Sequence, residues 1–226
     1  MGLFGGGKTC CECGKKAGLL ARVSLKDGSF LCGDCRARLS DQLGSEVFNM
    51  MTKEDYERNI EVAKQNDEKY HQEFRETFGV FQRGNKVFSA DETHGWWVNP
   101  KYTRPIVFQF DQIQNWTVDL QTEYDFDDDE NDSLTRGLLE DFIQSAFYRS
   151  LQQNHPELPV CPVGSKITGM YVRIFVDHPM IREVVIDCFD VGIFTKSEDD
   201  MESAYNTVIQ IIEFLQKVKY GVASAK

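Results

Sequence analysis

Apolar positions recur with two different periods along this chain, and the change of period separates a helical stretch from a strand-rich one. Leu39, Leu43, Val47 and Met50/Met51 form a helical stripe that begins at the second of two cysteine pairs. Thr52-Lys53-Glu54-Asp55 then reads as a capping box. The helix it opens, roughly 53–78, puts Tyr56, Ile60, Ala63, Tyr70, Phe74 and Phe78 on one narrow face of an otherwise charged surface. Such a face can pair two copies as a coiled coil or dock on the chain's own body. Asp67 interrupts the seam and about three heptads are too few, so self-docking is favoured and a homo-oligomer through this connector is the rival.

From Val80 the period becomes two. Val80-Phe81, Lys86–Phe88, Trp96–Val98, Ile106–Phe110 and Trp116–Leu120 read as short strands punctuated by Gly84-Asn85, Gly95, Asn99-Pro100 and Asp111-Gln112, an antiparallel meander. Residues 169–178 and 182–190 add a strand pair joined at His178-Pro179. One helix is expected over about 133–153, with Leu134, Leu138, Leu139, Phe142, Ile143, Ala146, Phe147 and Leu151 on one face, stopping before Pro156. A last helix, about 198–219, buries Met201, Ala204, Tyr205, Val208, Ile211, Ile212 and Leu215. A curved antiparallel sheet closed by a C-terminal amphipathic helix is the pattern of a pleckstrin-homology-like domain. The fold class is therefore α+β: a small zinc-ribbon or treble-clef-like head over 1–48, a charged helical connector over 49–79, and a pleckstrin-homology-like domain over 80–226 with a helical insertion at about 133–153.

Charge narrows the partners. The 226 residues carry a formal net charge of −11, which repels phosphate backbones and anionic headgroups over most of the surface. Residues 1–39 are the exception at a formal +4, leaving −15 for the rest. Four thiolates and one Zn²⁺ would reduce the head to about +2. With no apolar run long enough to span a bilayer and no signal-peptide pattern at the N-terminus, a cytoplasmic location is expected. Gly2 invites a myristoylation reading, but Gly6 stands where that motif needs Ser or Thr.

Five of the seven cysteines fall within residues 10–35, a clustering that points to metal rather than disulfides in a reducing compartment. Cys161 and Cys188 read as small core residues. Cys10, Cys13, Cys32 and Cys35 have the spacing C-x2-C-x18-C-x2-C of a structural zinc site: two intervening residues let both sulfurs of a pair reach one ion. Gly14 lets the backbone turn under the metal, and Gly33 lies inside the second pair, which opens a helix whose positive end favours thiolates. Cys11 falls outside the shared register and reads as a spare. Four cysteines close the coordination shell, so the expected cofactor is one structural Zn²⁺ per chain.

Thr9-Cys10…Cys13-Gly14-Lys15-Lys16, Leu25-Lys26-Asp27-Gly28 and Leu31-Cys32…Cys35 resemble the head of an uncharacterised bacterial family with a four-cysteine zinc module. The resemblance implies a charged helix and a pleckstrin-homology-like domain after the head, a metal site, and no established activity. It covers the head closely and the remainder in outline. Cys11 departs from it, and so does the acidic stretch at 125–153, where a Gly-rich apolar insert is usual.

Other chemistry is weaker. Asp125–Asp132 suits no EF-hand register: Glu130 or Asp132 falls where Gly is needed, and Arg136 or Leu138 where the bidentate Glu belongs, so it reads as a solvated loop. His71, His94, His155 and His178 form no ligand or catalytic pair and read as turn or surface residues. Gly5–Thr9 imitates the end of a phosphate loop without the preceding strand. Trp96 and Trp97, adjacent on a strand, point to opposite faces; internal cover for the outer one is favoured over an exposed partner site. The expectation is a non-enzymatic interaction or adaptor protein that binds protein or peptide. Its rivals are nucleic-acid binding by the head through Lys15, Lys16, Lys26, Arg36 and Arg38, and lipid binding near Arg83 and Lys86; nucleic acid and membrane are both disfavoured by charge. The head is expected to fold only with its metal.

Overall fold

The computed structural model describes residues 7–18, 21–123, 142–160, 166–189 and 198–221. The protein is mixed α+β with antiparallel sheets and a cysteine cluster near the N-terminus. Two compact units are present: Met1–Thr77, Ala90–Gln109 and His178–Ile181 form the first, and Phe78–Ser89, Phe110–Asp177 and Arg182–Lys226 the second.

In the first unit, β1 (Lys8–Thr9) pairs with β2 (Lys16–Ala17), and β3 (Arg22–Ser24) with β4 (Phe30–Cys32). The β3–β4 turn is tied by Asp27, whose Oδ1 accepts from the Ser29 amide at 3.0 Å and its hydroxyl at 2.6 Å. Gly28 takes the left-handed φ of 82° that the turn requires. The Ser29 hydroxyl, then the Lys53 amide, hold the Asp27 carboxyl down to about 2. Three helices follow: α1 (Gly33–Ala37), α2 (Ser45–Met50) and α3 (Lys53–Glu68). The expected helical stripe is thus split between short elements. Leu39, Leu43 and Met51 are buried as expected, but Met50 is 69% exposed and Phe48 takes the core position.

The capping box is present, with Thr52 and Asp55 exchanging side-chain and backbone hydrogen bonds. Beyond Glu68 the helix widens into a π-turn, Lys69–Glu73, closed by the Phe74 amide on Lys69 O at 2.9 Å. It ends there because the next amide, that of Arg75, is captured by Asp91 Oδ2 at 2.8 Å. The expected helical face therefore stops short of Phe78, which lies in a strand, while Tyr56, Ile60 and Ala63 are buried.

The first unit also holds β7 (Trp96–Val98), paired with β8 (Phe108–Gln109). The strand expected over 106–110 is reduced to two residues. The reason lies in the stretch before it, whose backbone is bonded by side chains rather than by a neighbouring strand. Asp41 accepts from the Thr103 and Arg104 amides at 2.7 and 2.9 Å, Gln42 Oε1 from Ile106 at 3.1 Å, and Asn66 Oδ1 from Val107 at 2.8 Å. Ser40 Oγ donates to Arg104 O at 2.6 Å and Asn66 Nδ2 to Pro105 O at 2.8 Å. Phe110–Gln112 is a 3₁₀ turn.

In the second unit, β5 (Phe78–Gln82) and β6 (Asn85–Asp91) form a hairpin whose turn residues Arg83 and Gly84 have φ of 49° and 81°, the two positive values a two-residue type I′ turn needs. A three-stranded sheet has the order β11-β10-β9, from β9 (Ile113–Glu123), β10 (Lys166–Val176) and β11 (Glu183–Asp187). Its register stacks Val172 between Val118 and Ile186, and Ile174 between Trp116 and Val184.

A helix over 142–153 does not run through: α4 (Ala146–Asn154) starts afresh at Ser145, whose hydroxyl caps the Tyr148 amide at 3.0 Å. That restart rotates the face, so Tyr148 and Leu151 are buried while Ala146 is exposed. The part of this helix expected over 133–141 and the acidic run Asp125–Asp132 lie outside the described residues. The last helix, α5 (Glu198–Tyr220), buries all seven residues expected of it, and Phe214 besides. Phe214 stacks on Phe78 at 4.4 Å between centroids and meets Phe88 and Phe110 edge-on at 5.5 and 5.6 Å. No described helix is long and apolar enough to cross a membrane.

Because Phe214 joins three other rings, Phe214→Ala should destabilise the second unit by about 3–5 kcal/mol. Urea unfolding followed by Trp116 fluorescence measures this.

Candidate metal centre

Two loops bring the four cysteines together. In the first, the Cys10 amide donates to Lys15 O at 2.9 Å and the Gly14 amide returns to Cys10 O at 3.1 Å. Gly14 sits at φ 70°, the left-handed value that reverses the chain under the sulfurs. In the second, Cys32 leaves β4 in an extended conformation as the N-cap of α1, and one turn later Cys35 is buried inside it. The four sulfurs lie within 4.8 Å of one another, with Cys13 Sγ and Cys32 Sγ 3.6 Å apart. A tetrahedron with metal–sulfur bonds near 2.3 Å needs sulfurs about 3.8 Å apart. The four cysteines are therefore positioned to hold one metal ion, and a donor set of four sulfurs without nitrogen or oxygen fits a soft or borderline cation.

Electrostatics favour a cation here. Burial, followed by hydrogen bonds among the thiols, pushes the Cys35 thiol well up, and burial does the same to Cys32. Burial acts on Cys10 in the same direction, but hydrogen bonds with backbone groups of Cys13, Cys32 and Glu12 outweigh it and bring its thiol down to about 6. Without a metal, the first charge in the cluster opposes the next. A divalent ion removes that opposition.

Ties around the cluster hold both loops to each other and to α3. Arg38 reaches Glu12 at 2.8 Å and Lys15 reaches Asp34 at 3.2 Å, so two ion pairs join the loops. The Lys15–Asp34 pair is largely solvated and adds little stability, while the Arg38–Glu12 pair is partly buried. More firmly, the fully buried Tyr56 of α3 donates its hydroxyl to Cys35 O at 2.8 Å. Asp27 Oδ2 accepts from the Lys53 amide at 2.8 Å and Met51 O from the Lys26 amide at 2.9 Å. The head thus shares a core with α3, formed by Leu31, Leu43, Phe48, Tyr56 and Ile60.

The remaining candidate residues are dispersed. His71 packs edge-on against Tyr70, His155 ends α4 beside Glu157, and His178 lies against the Phe108 ring. Cys188 is buried, while Cys161 and residues 1–6, with Gly5 and Gly6 of the phosphate-loop imitation, are outside the described residues; Lys8 and Thr9 of that imitation form β1. Trp97 is fully buried and stacks on Phe108 at 4.7 Å. Trp96 is half-buried, stacked on His94 at 4.6 Å with Lys69 Nζ 4.6 Å over its ring. A pairing not expected from sequence fixes His94: its Nδ1 lies 2.6 Å from Oδ2 of the fully buried Asp91. The Asp91-x-x-His94 spacing was the available signal. Burial opposes ionisation of Asp91, but the Arg75 amide and His94 outweigh it and keep the carboxyl below its ordinary range.

No family model, curated protein or solved structure matches this chain.

Metal analysis should find one ion per chain, lost in Cys32→Ser and kept in Cys11→Ser; loss in Cys11→Ser with retention in Cys13→Ser would move the ligand register. The raised Cys32 and Cys35 thiols also set a pH dependence. They keep their protons at neutral pH when metal-free, so loading must release protons, and apparent affinity should rise with pH and fall on acidification. Calorimetry in two buffers of different ionisation enthalpy measures that release; identical heats would contradict it.

Proposed function

We propose that the chain is a non-enzymatic interaction protein, in which a structural zinc ion organises the head and a pleckstrin-homology-like body carries further binding surface for protein or peptide. The observation that carries this reading is the closed sulfur shell: four thiolates fill a tetrahedron and leave no position for a substrate or a metal-bound water. Four tetrahedral sulfurs favour zinc, as does the resemblance of the head to a bacterial zinc-module family. The pleckstrin-homology-like reading is supported by the antiparallel strands of the second unit, the β5–β6 hairpin and the three-stranded sheet β11-β10-β9, with α5 following.

Side-chain commitments weigh against the two rivals. Of the five head cations on which the nucleic-acid reading rests, Lys15 pairs with Asp34, Arg38 with Glu12, and Arg36 donates to Leu43 O at 3.3 Å while lying over Phe48. In the β5–β6 turn, Arg83 is paired with Asp200 at 2.5 Å, which withdraws the main cation of a headgroup site. The net charge of −11 opposes polyanions over the rest of the surface.

Affinity capture of the zinc-loaded chain from its native cell, with nuclease treatment and mass spectrometry, tests the reading. A protein partner should survive the nuclease and weaken in Cys32→Ser. Recovery of nucleic acid alone, or reproducible turnover in a substrate screen that is lost on mutating a described residue, would contradict it.

A further inference from the structure

The four ligand positions are not equivalent. Cys10, Cys32 and Cys35 are 2%, 7% and 3% exposed, whereas Cys13 lies open to solvent. A metal-bound thiolate keeps nucleophilic electron density, and solvent access then decides which sulfur an electrophile reaches. Two residues from Cys13 in the same turn is Cys11, half-buried and outside the four-sulfur cluster. Its amide is anchored on Phe30 O at 2.8 Å, so the backbone at Cys11 stays attached to β4 if the Cys13 side moves. Gly14, next to Cys13, stands in open space at a left-handed φ of 70°.

We propose that Cys13 is an oxidation site at which a peroxide opens the metal centre, with Cys11 as the thiol that resolves the product. In the first step the Cys13 thiolate attacks one peroxide oxygen; the O–O bond breaks, sulfur is oxidised to sulfenic acid with the hydrogen that oxygen carried, and the other oxygen leaves with a proton taken from solvent as water or an alcohol. In the second, the Cys11 sulfur attacks the sulfenic sulfur, a disulfide forms, and the hydroxyl leaves with the Cys11 proton as water. The ion loses one of its four anionic donors and is released as Zn²⁺. Cys32 Sγ is close to Cys13, at 3.6 Å, but as a ligand its lone pair is shared with the metal until the ion has gone. Cys11 is under no such constraint. The proposal rests on the metal centre and is independent of what the chain binds.

Full-length zinc-loaded protein treated with hydrogen peroxide, with a metallochromic indicator for zinc and tryptic mass spectrometry for the product, tests this. Cleavage after Lys8 and Lys15 isolates residues 9–15 with Cys10, Cys11 and Cys13; cleavage after Lys26 and Arg36 isolates 27–36 with Cys32 and Cys35. Zinc should be released as the 9–15 peptide loses two hydrogens without joining 27–36. In Cys11→Ser, dimedone should trap Cys13 as its sulfenic adduct about tenfold more than in the unaltered chain; Cys11→Ala should behave the same, which removes any effect of the serine hydroxyl. A first product cross-linked between the two peptides, an initial adduct on Cys10, zinc retained after Cys13 oxidation, or equal trapping with and without Cys11 would each overturn the proposal.

Discussion

Four cysteine sulfurs within a few ångströms of one another cannot all ionise without repelling, and a bound cation is what would let all four do so. Burial of Cys32 and Cys35 makes their charged state costly in the absence of metal. The two cysteine loops bring their four sulfurs to one point, where a single ion would hold them together. The consequence spreads through Tyr56: its hydroxyl on Cys35 O ties the second loop to the middle of the first turns of α3, and the ring lies in the core that the head and helix have in common.

From that core the constraint passes to residues 99–109. Asp41, Gln42 and Ser40 follow directly from the second cysteine loop, and Asn66 lies on α3; together they bond the backbone of 103–107, which pairs with no strand. Each lost side chain there would leave a polar backbone group to be satisfied by water, in a stretch where Ile106 and Val107 are buried. That stretch leads straight into β8 and the Phe108 ring on which Trp97 stacks. The cysteine cluster, α3 and the tryptophan strand are thus parts of one packed unit.

Local rules made some of this legible in the sequence. Cysteine pairs with two intervening residues, a Thr52–Asp55 capping box and the apolar face of α5 each depend on a few neighbouring residues, and each is present in the structure. Elements whose form is decided by distant partners were not legible. The end of α3 depends on Asp91 capturing the Arg75 amide, and the shortness of β8 depends on side chains of residues 40–66. The same holds for the relation of head to tryptophans: read along the chain they are separate segments, but in space Trp96 and Trp97 belong to the unit that contains the cysteines. Ser145 shows the opposite failure, a local cap overlooked because a long apolar stripe ran across it.

The most direct measurement follows from that grouping. In a Trp116→Phe variant, the tryptophan region of the near-ultraviolet circular dichroism reports Trp96 and Trp97 alone. A strong chelator should then abolish most of that signal, and added zinc should restore it, because removing the ion loosens the loops that Tyr56, Asp41 and Gln42 connect to the rest of the unit. An unchanged tryptophan signal after the metal has demonstrably left would contradict the account: the head would then be a separable appendage rather than part of the first unit's core.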